Sequence, residues 1–167
     1  MTLSLRRMKD ITLPKLIFPR KLASKNDKLQ GLVAIENFKE ATSIDSLQPV
    51  GNLLFVIKFY NDYFGNCVID GYIEADCGFL CQRCLKPYKE EIKSKFLLSL
   101  VSNDREAKKL EEGYEPIIAN ADGSIYLYAV IEEELILSLP MFPKHNQLSE
   151  CIDLEKFNKL EQADEKY

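Results

Sequence analysis

Leu53-Leu54-Phe55-Val56-Ile57-Lys58-Phe59-Tyr60 and, six residues later, Cys67-Val68-Ile69-Asp70-Gly71-Tyr72-Ile73-Glu74-Ala75-Asp76-Cys77 decide the fold. The first run is β-branched and aromatic, a composition suited to a pleated, half-buried surface. Asn61-Asp62 and Gly65-Asn66 supply turn chemistry between the runs, which predicts a pair of strands. In the second run Val68, Asp70, Tyr72 and Glu74 fall on one face, and Cys67, Ile69, Gly71, Ile73 and Ala75 on the other. Side chains alternate along a strand, so the second face is the core face. Tyr88 to Val101 resumes the sheet, with Ile92, Phe96, Leu98 and Leu100 on one side.

Outward from these strands, Leu29 to Val33 reads as a short extended piece. Ile35, Phe38, Ala41 and Ile44 recur every three residues, which predicts a short amphipathic helix over Ile35 to Ile44, broken by Pro49 and Gly51. Ser102 to Gly113 is charged and reads as a solvated linker or short helix. Asp122-Gly123 is a tight-turn signal, and with Glu115 to Ile118 before it and Ser124 to Tyr126 after it a small hairpin is expected. Leu127 to Leu139 is the clearest helix: Leu127, Val130, Ile131, Leu135, Ile136, Leu137 and Leu139 form a broad apolar stripe, and Glu132, Glu133 and Glu134 between them are assigned mostly to a solvated face. Pro140 ends it, and Pro143 keeps the chain extended towards His145.

The pattern is α+β: an antiparallel β meander with two short covering helices and a Cys-x-x-Cys knuckle. It lacks the strand-helix alternation of a doubly wound sheet. Three parts are expected: a basic arm over residues 1–28, a single α+β domain over 29–151, and a charged tail over 152–167.

Charge marks the same divisions. Residues 1–28 carry eight basic against two acidic groups, net +6; residues 29–100 are net −2, and residues 101–167 are net −8, giving −4 for the 167-residue chain. A basic arm on an acidic protein can hold phosphates through Arg6, Arg7, Arg20 and Lys21, or it can be a solvated terminus. No apolar run approaches the roughly 20 residues of a membrane span. The N-terminus has no apolar secretory core. Five cysteines, an odd number, form no even disulfide framework, so reduced thiols and a cytoplasmic location are expected.

Chemistry concentrates at Cys81-Gln82-Arg83-Cys84-Leu85-Lys86-Pro87. Two thiols three positions apart can share a metal ion, close into a redox disulfide, or do neither. His145, the one histidine, is followed after five intervening residues by Cys151. Together with Cys81 and Cys84 they make a Cys₃His set of the kind zinc favours in structural sites, although 60 residues separate Cys84 from His145. A closed four-ligand site leaves no open coordination position for catalysis. The redox alternative needs a cation or helix N-terminus to depress a thiol pKa; Arg83 offers the first, but the strand-like flanks and Pro87 argue against the second.

Around the knuckle, Arg83, Lys86 and Lys89, continued by Lys93 and Lys95, form a basic cluster diluted by Glu90 and Glu91. With Tyr88 beside it, this surface can hold an RNA backbone and stack a base, or it can be an ordinary solvated strand face. Glu132 to Glu134 have neither a neighbouring histidine nor a nucleophilic serine motif, and the chain has no phosphate-cradling glycine loop. No enzymatic activity is expected.

The motifs in their order resemble the YceD family, the large ribosomal RNA subunit accumulation proteins of bacteria. The resemblance rests on CQRCLKP at Cys81 to Pro87, YEPI at Tyr114 to Ile117, and EEELILSLPMFPKH at Glu132 to His145 followed by Cys151. It covers residues 50–151 well and the N-terminal part loosely. Cys81, Arg83, Cys84, Leu85 and Pro87 match the family's central motif; Pro140, Pro143, His145 and Cys151 match its second. The resemblance implies a non-enzymatic role in ribosome biogenesis, in the synthesis, processing or stability of 23S rRNA in the large-subunit precursor. Partners would be 23S rRNA precursor or a large-subunit ribosomal protein, with no membrane and no small-molecule substrate. The residues themselves, and not the resemblance, assign RNA contacts to Arg83, Lys86, Tyr88 and Lys89 with the arm, and one structural zinc to Cys81, Cys84, His145 and Cys151. The competing reading is a small cytoplasmic thiol-redox or metal-handling protein that uses the Cys-x-x-Cys pair.

Overall fold

A computed structural model describes residues 14–48 and 51–151; Arg6, Arg7, Pro49 and the tail from 152 to 167 lie outside the described residues. In chain order the elements are β1 (Leu16–Ile17), α1 (Pro19–Ala23), β2 (Lys28–Ala34), α2 (Lys39–Thr42), β3 (Leu47–Gln48), β4 (Asn52–Asn61), β5 (Cys67–Leu80), β6 (Pro87–Val101), α3 (Asp104–Ala107), β7 (Glu115–Ile118), β8 (Ile125–Tyr126) and α4 (Leu127–Ser138). Single 3₁₀ turns occupy Ile35–Asn37 and Leu148–Glu150.

The architecture is α+β, and its centre is the pair of runs that the sequence singled out. A six-stranded sheet runs β2-β4-β5-β6-β7, with β3 paired to the far end of β5 beyond the reach of β4. β2, β4, β5 and β6 pair antiparallel, Asn61 opposite Cys67 across the first turn and Leu80 opposite Pro87 across the second. The expected core face is buried on β5 (Cys67, Ile69, Ile73 and Ala75) and β6 (Ile92, Phe96, Leu98 and Leu100), and Leu53, Phe55, Ile57 and Phe59 of β4 join it in the core. Gly71 faces Phe96 so closely that a Cβ there would lie 1.9 Å from the ring, so the aromatic ring fills the space a side chain would need.

α4 lies across this face. Leu127, Val130, Ile131, Glu134 and Leu135 are its buried residues, the spacing of one helical stripe. Glu134 departs from the expected solvated face. It is 7 % exposed, and burial, with Glu115 and Glu133 near it, pushes its carboxyl up to about 7. Glu132 is also engaged, because its carboxylate accepts the backbone N–H groups of Glu40 (2.6 Å) and Ala41 (3.1 Å) and so pins the start of α2 to α4.

Three other expectations are corrected. The helix over Ile35 to Ile44 is a 3₁₀ turn, a break at Phe38 (φ −95°, ψ 101°) and the one-turn α2. A strict spacing of three turns steadily around an α-helix, so Ile35, Phe38 and Ala41 reach the core by bending the backbone rather than by sharing one helix face. The turn at Asp122-Gly123 forms, with Asn120 N–H donating to the Ser124 carbonyl (2.9 Å), but its flanking strands do not pair with each other. β7 adds to β6 in parallel, and β8 pairs with β1. The meander is therefore antiparallel except at its β7 edge. Residues Leu16 to Lys28, counted with the basic arm by charge, carry β1 and α1, and Ile17 and Ala23 join the core. No helix among the described residues is long and apolar enough to cross a membrane.

Candidate metal centre

The knuckle is the tip of the β5–β6 hairpin. β5 and β6 stay paired to Leu80 and Pro87, and six residues reverse the chain between them. Cys81 N–H donates to the Lys86 carbonyl (3.0 Å) and Leu85 N–H to the Cys81 carbonyl (2.8 Å). Leu85 closes the turn in the left-handed region at φ 57°, a conformation that glycine or asparagine adopts at lower cost.

The second half of the site arrives from α4. Pro140 prevents the helix from continuing, and Pro143 carries the chain past the hairpin tip in extended form. There Gln82 N–H donates to the Pro143 carbonyl (2.9 Å), and the Arg83 guanidinium donates to the His145 carbonyl. These two bonds bridge the long gap in sequence and lay residues 143–145 against 82–83. A 3₁₀ turn at Leu148–Glu150 then returns the chain so that Cys151 faces the same point.

Four ligand atoms converge. The Cys81, Cys84 and Cys151 sulfurs and one ring nitrogen of His145 all lie within 4.8 Å of one another. Cys81 Sγ is 3.6 Å from Cys151 Sγ; His145 Nδ1 is 3.3 Å from Cys151 Sγ and 3.5 Å from Cys84 Sγ. A tetrahedral ion with bonds of about 2.3 Å to sulfur and about 2.0 Å to nitrogen has edges of about 3.8 Å between sulfurs and about 3.5 Å between sulfur and nitrogen. These three separations match those edges within a few tenths of an ångström, and with all four atoms within 4.8 Å the cluster can hold one metal ion. No disulfide links any cysteine among the described residues.

Electrostatics point the same way. Burial works against a charged Cys81 sulfur, but the backbone N–H groups of His145, Arg83 and Cys84 favour its thiolate, and the balance lowers its pKa. Burial and the neighbouring Cys81 and Cys84 sulfurs push the Cys151 thiol up. Several thiolates this close repel one another unless a cation sits between them. His145 is 8 % exposed, and its ring lies 4.9 Å from that of Tyr88, which fixes the imidazole in place.

Among the described residues, the cations expected to contact RNA fall into two groups that the sheet keeps apart. Arg83, Lys86 and Lys89 are exposed at the hairpin tip. Lys89 also lines an open hollow of about 560 Å³ with Gln48, Asn52, Asp76 and Tyr88. Arg20 and Lys21 sit on α1 at the other end of β5, where Arg20 lines a smaller hollow with Cys67 and Glu106. A 14-residue strand separates the groups, roughly 40 Å when extended. Tyr88 is committed to the fold. It is half-buried between Phe79 (5.8 Å) and His145, and its hydroxyl donates to Glu90 (3.2 Å). Burial and Glu90 push that hydroxyl up to about 12.

Similarity to known proteins covers the same region. A family model described as the large ribosomal RNA subunit accumulation protein YceD matches residues 69–166, a span that contains both halves of the centre. The chain belongs to the YceD family. A large ribosomal RNA subunit accumulation protein YceD from Haemophilus influenzae is 34 % identical over 139 residues, which is 83 % of this chain and 79 % of that one. No solved structure matches the chain.

Proposed function

We propose that this YceD-family chain is a non-enzymatic ribosome biogenesis factor that supports the synthesis, processing or stability of 23S rRNA in the large-subunit precursor. Similarity over 83 % of the chain to a protein named for large ribosomal RNA subunit accumulation carries the assignment. The metal in the centre is zinc, because three thiolates and one imidazole in tetrahedral arrangement are a structural zinc set. All four positions would be filled by protein, which leaves none for substrate or water and fits a role without catalysis. Zinc there clamps the hairpin tip to the chain leaving α4 and presents Arg83, Lys86 and Lys89 on a fixed loop. The cytoplasm is the compartment in which such a factor meets its RNA.

Ultraviolet crosslinking of the tagged protein in growing cells, followed by sequencing of the attached RNA, tests the role. Enrichment of 23S precursor segments over a mock-tagged control is the expected result. A profile at background removes direct RNA contact from the proposal and favours a contact with a large-subunit ribosomal protein.

A further inference from the structure

Three large apolar side chains stand in water around the centre: Leu85 is 76 % exposed, Met141 83 % and Phe142 68 %. The hydrogen bonds that assemble the centre join the two loops that carry them. Phe142 flanks Pro143, which is buried and bonded to Gln82, and Leu85 belongs to the same six-residue loop as Gln82. Isolated exposed apolar residues are commonplace; three on two crossing loops held by a metal-ligand cluster are not explained by packing.

Leu85 adds an independent observation. A leucine at φ 57° destabilises its turn relative to glycine, and with most of its side chain in solvent it recovers little by burial. The turn therefore carries a side chain that folding alone does not call for.

Charge says what kind of partner fits. Residues 77–89 and 135–149 contain Arg83, Lys86, Lys89 and Lys144 and no carboxylate, in a chain whose net charge is −4. Lys144 and Lys86 are exposed, and neither makes a salt bridge among the described residues. A partner for this tip must present apolar faces and negative charge together. Unpaired nucleotides do so, whereas a duplex hides its base faces and offers phosphate alone.

We infer that the tip is a stacking platform for unpaired RNA nucleotides: Phe142 takes a base, Leu85 and Met141 flank it, and Arg83, Lys86 and Lys144 hold the adjoining phosphates. This rests on the RNA-contact reading above and specifies its ligand as single-stranded.

Fluorescence anisotropy of the metal-loaded full chain with a short fluorescein-labelled single-stranded RNA of mixed sequence, and with the same strand annealed to its complement, is the test. The single strand is expected to bind more tightly. Phe142→Ala should weaken it about tenfold or more, while Phe142→Tyr keeps most of the affinity. Leu85→Gly should weaken binding while the melting temperature holds or rises, a combination that a merely structural leucine cannot produce. Lys144→Glu should weaken binding and flatten its salt dependence. If the duplex binds as well as the single strand, or Phe142→Ala changes nothing, the platform is overturned and the RNA reading stands. If the wild-type chain binds neither RNA, both fall, and a protein contact is what the tip serves.

Discussion

The body of the sheet and the tip of its central hairpin are built from the same two strands and held by different means. In the body, Phe55, Phe59, Ile57 and Ile69 are at most 1 % exposed, and burial of apolar surface is the main stabilising term. At the tip, Leu85, Met141 and Phe142 are exposed, and the two loops are joined by hydrogen bonds to two backbone carbonyls beside four side chains that can hold one metal ion. One region owes its shape to what it hides, the other to what it ties together. A surface displayed to a partner can be kept rigid without being buried.

Perturbing each region separately tests that division. Phe55→Ala removes a fully buried ring and should cost about 3–5 kcal/mol in denaturant unfolding, with the remaining folded molecules still binding one metal ion. Simultaneous loss of metal from folded molecules would show that body and tip are not separable. Cys84→Ser should do the reverse, with a smaller cost of about 2–3 kcal/mol. Metal stoichiometry should fall from about one to near zero. Hydrogen exchange should quicken over residues 81–86 and 143–151 while the amides of β4 and β5 keep their protection; uniform loss of protection would sink the division.

The smallest effect sharpens the comparison within the body. The folded protein holds the Glu134 proton up to about pH 7, whereas the unfolded chain releases it near the usual value of 4.5. The folded state thus binds more protons between those values, so this group's contribution to stability falls as pH rises from about 4.5 to about 7 and is level above. Glu134→Gln should remove that slope and raise stability at neutral pH by about 1–2 kcal/mol. Unfolding curves at several pH values that keep their slope in the variant would assign it to another group.

The sequence is most legible where one local rule governs. Strict alternation in Cys67 to Ala75 identified a face of the sheet, and the stripe from Leu127 to Leu139 identified a helix, although Leu137 on it is exposed. Ile35, Phe38 and Ala41 were legible as core but not as structure, since a three-residue spacing suits a bent 3₁₀ path as well as a helix. Strand partners were illegible at Asp122-Gly123: the local turn chemistry was right, yet β7 and β8 find partners in β6 and β1, distant in sequence. Glu134 escaped because its position in a run of three acids looked solvated, while its spacing from Val130 and Ile131 put it on the buried stripe. The four ligand types were readable from residue chemistry, but their convergence depends on the Gln82–Pro143 and Arg83–His145 bonds, which no local pattern encodes. The apolar tip was missed for a related reason. Met141 and Phe142 sit in a proline-rich exit that reads as a linker, and only the folded chain bonds the neighbouring Pro143 to the loop that carries Leu85.

Seventy positions separate Cys81 from Cys151 along the chain. During synthesis the hairpin can form, and its first two ligands can meet an ion, well before the last sulfur leaves the ribosome. A metal ion held by all four side chains would therefore be a completion mark: only a chain translated through Cys151 can supply the fourth ligand.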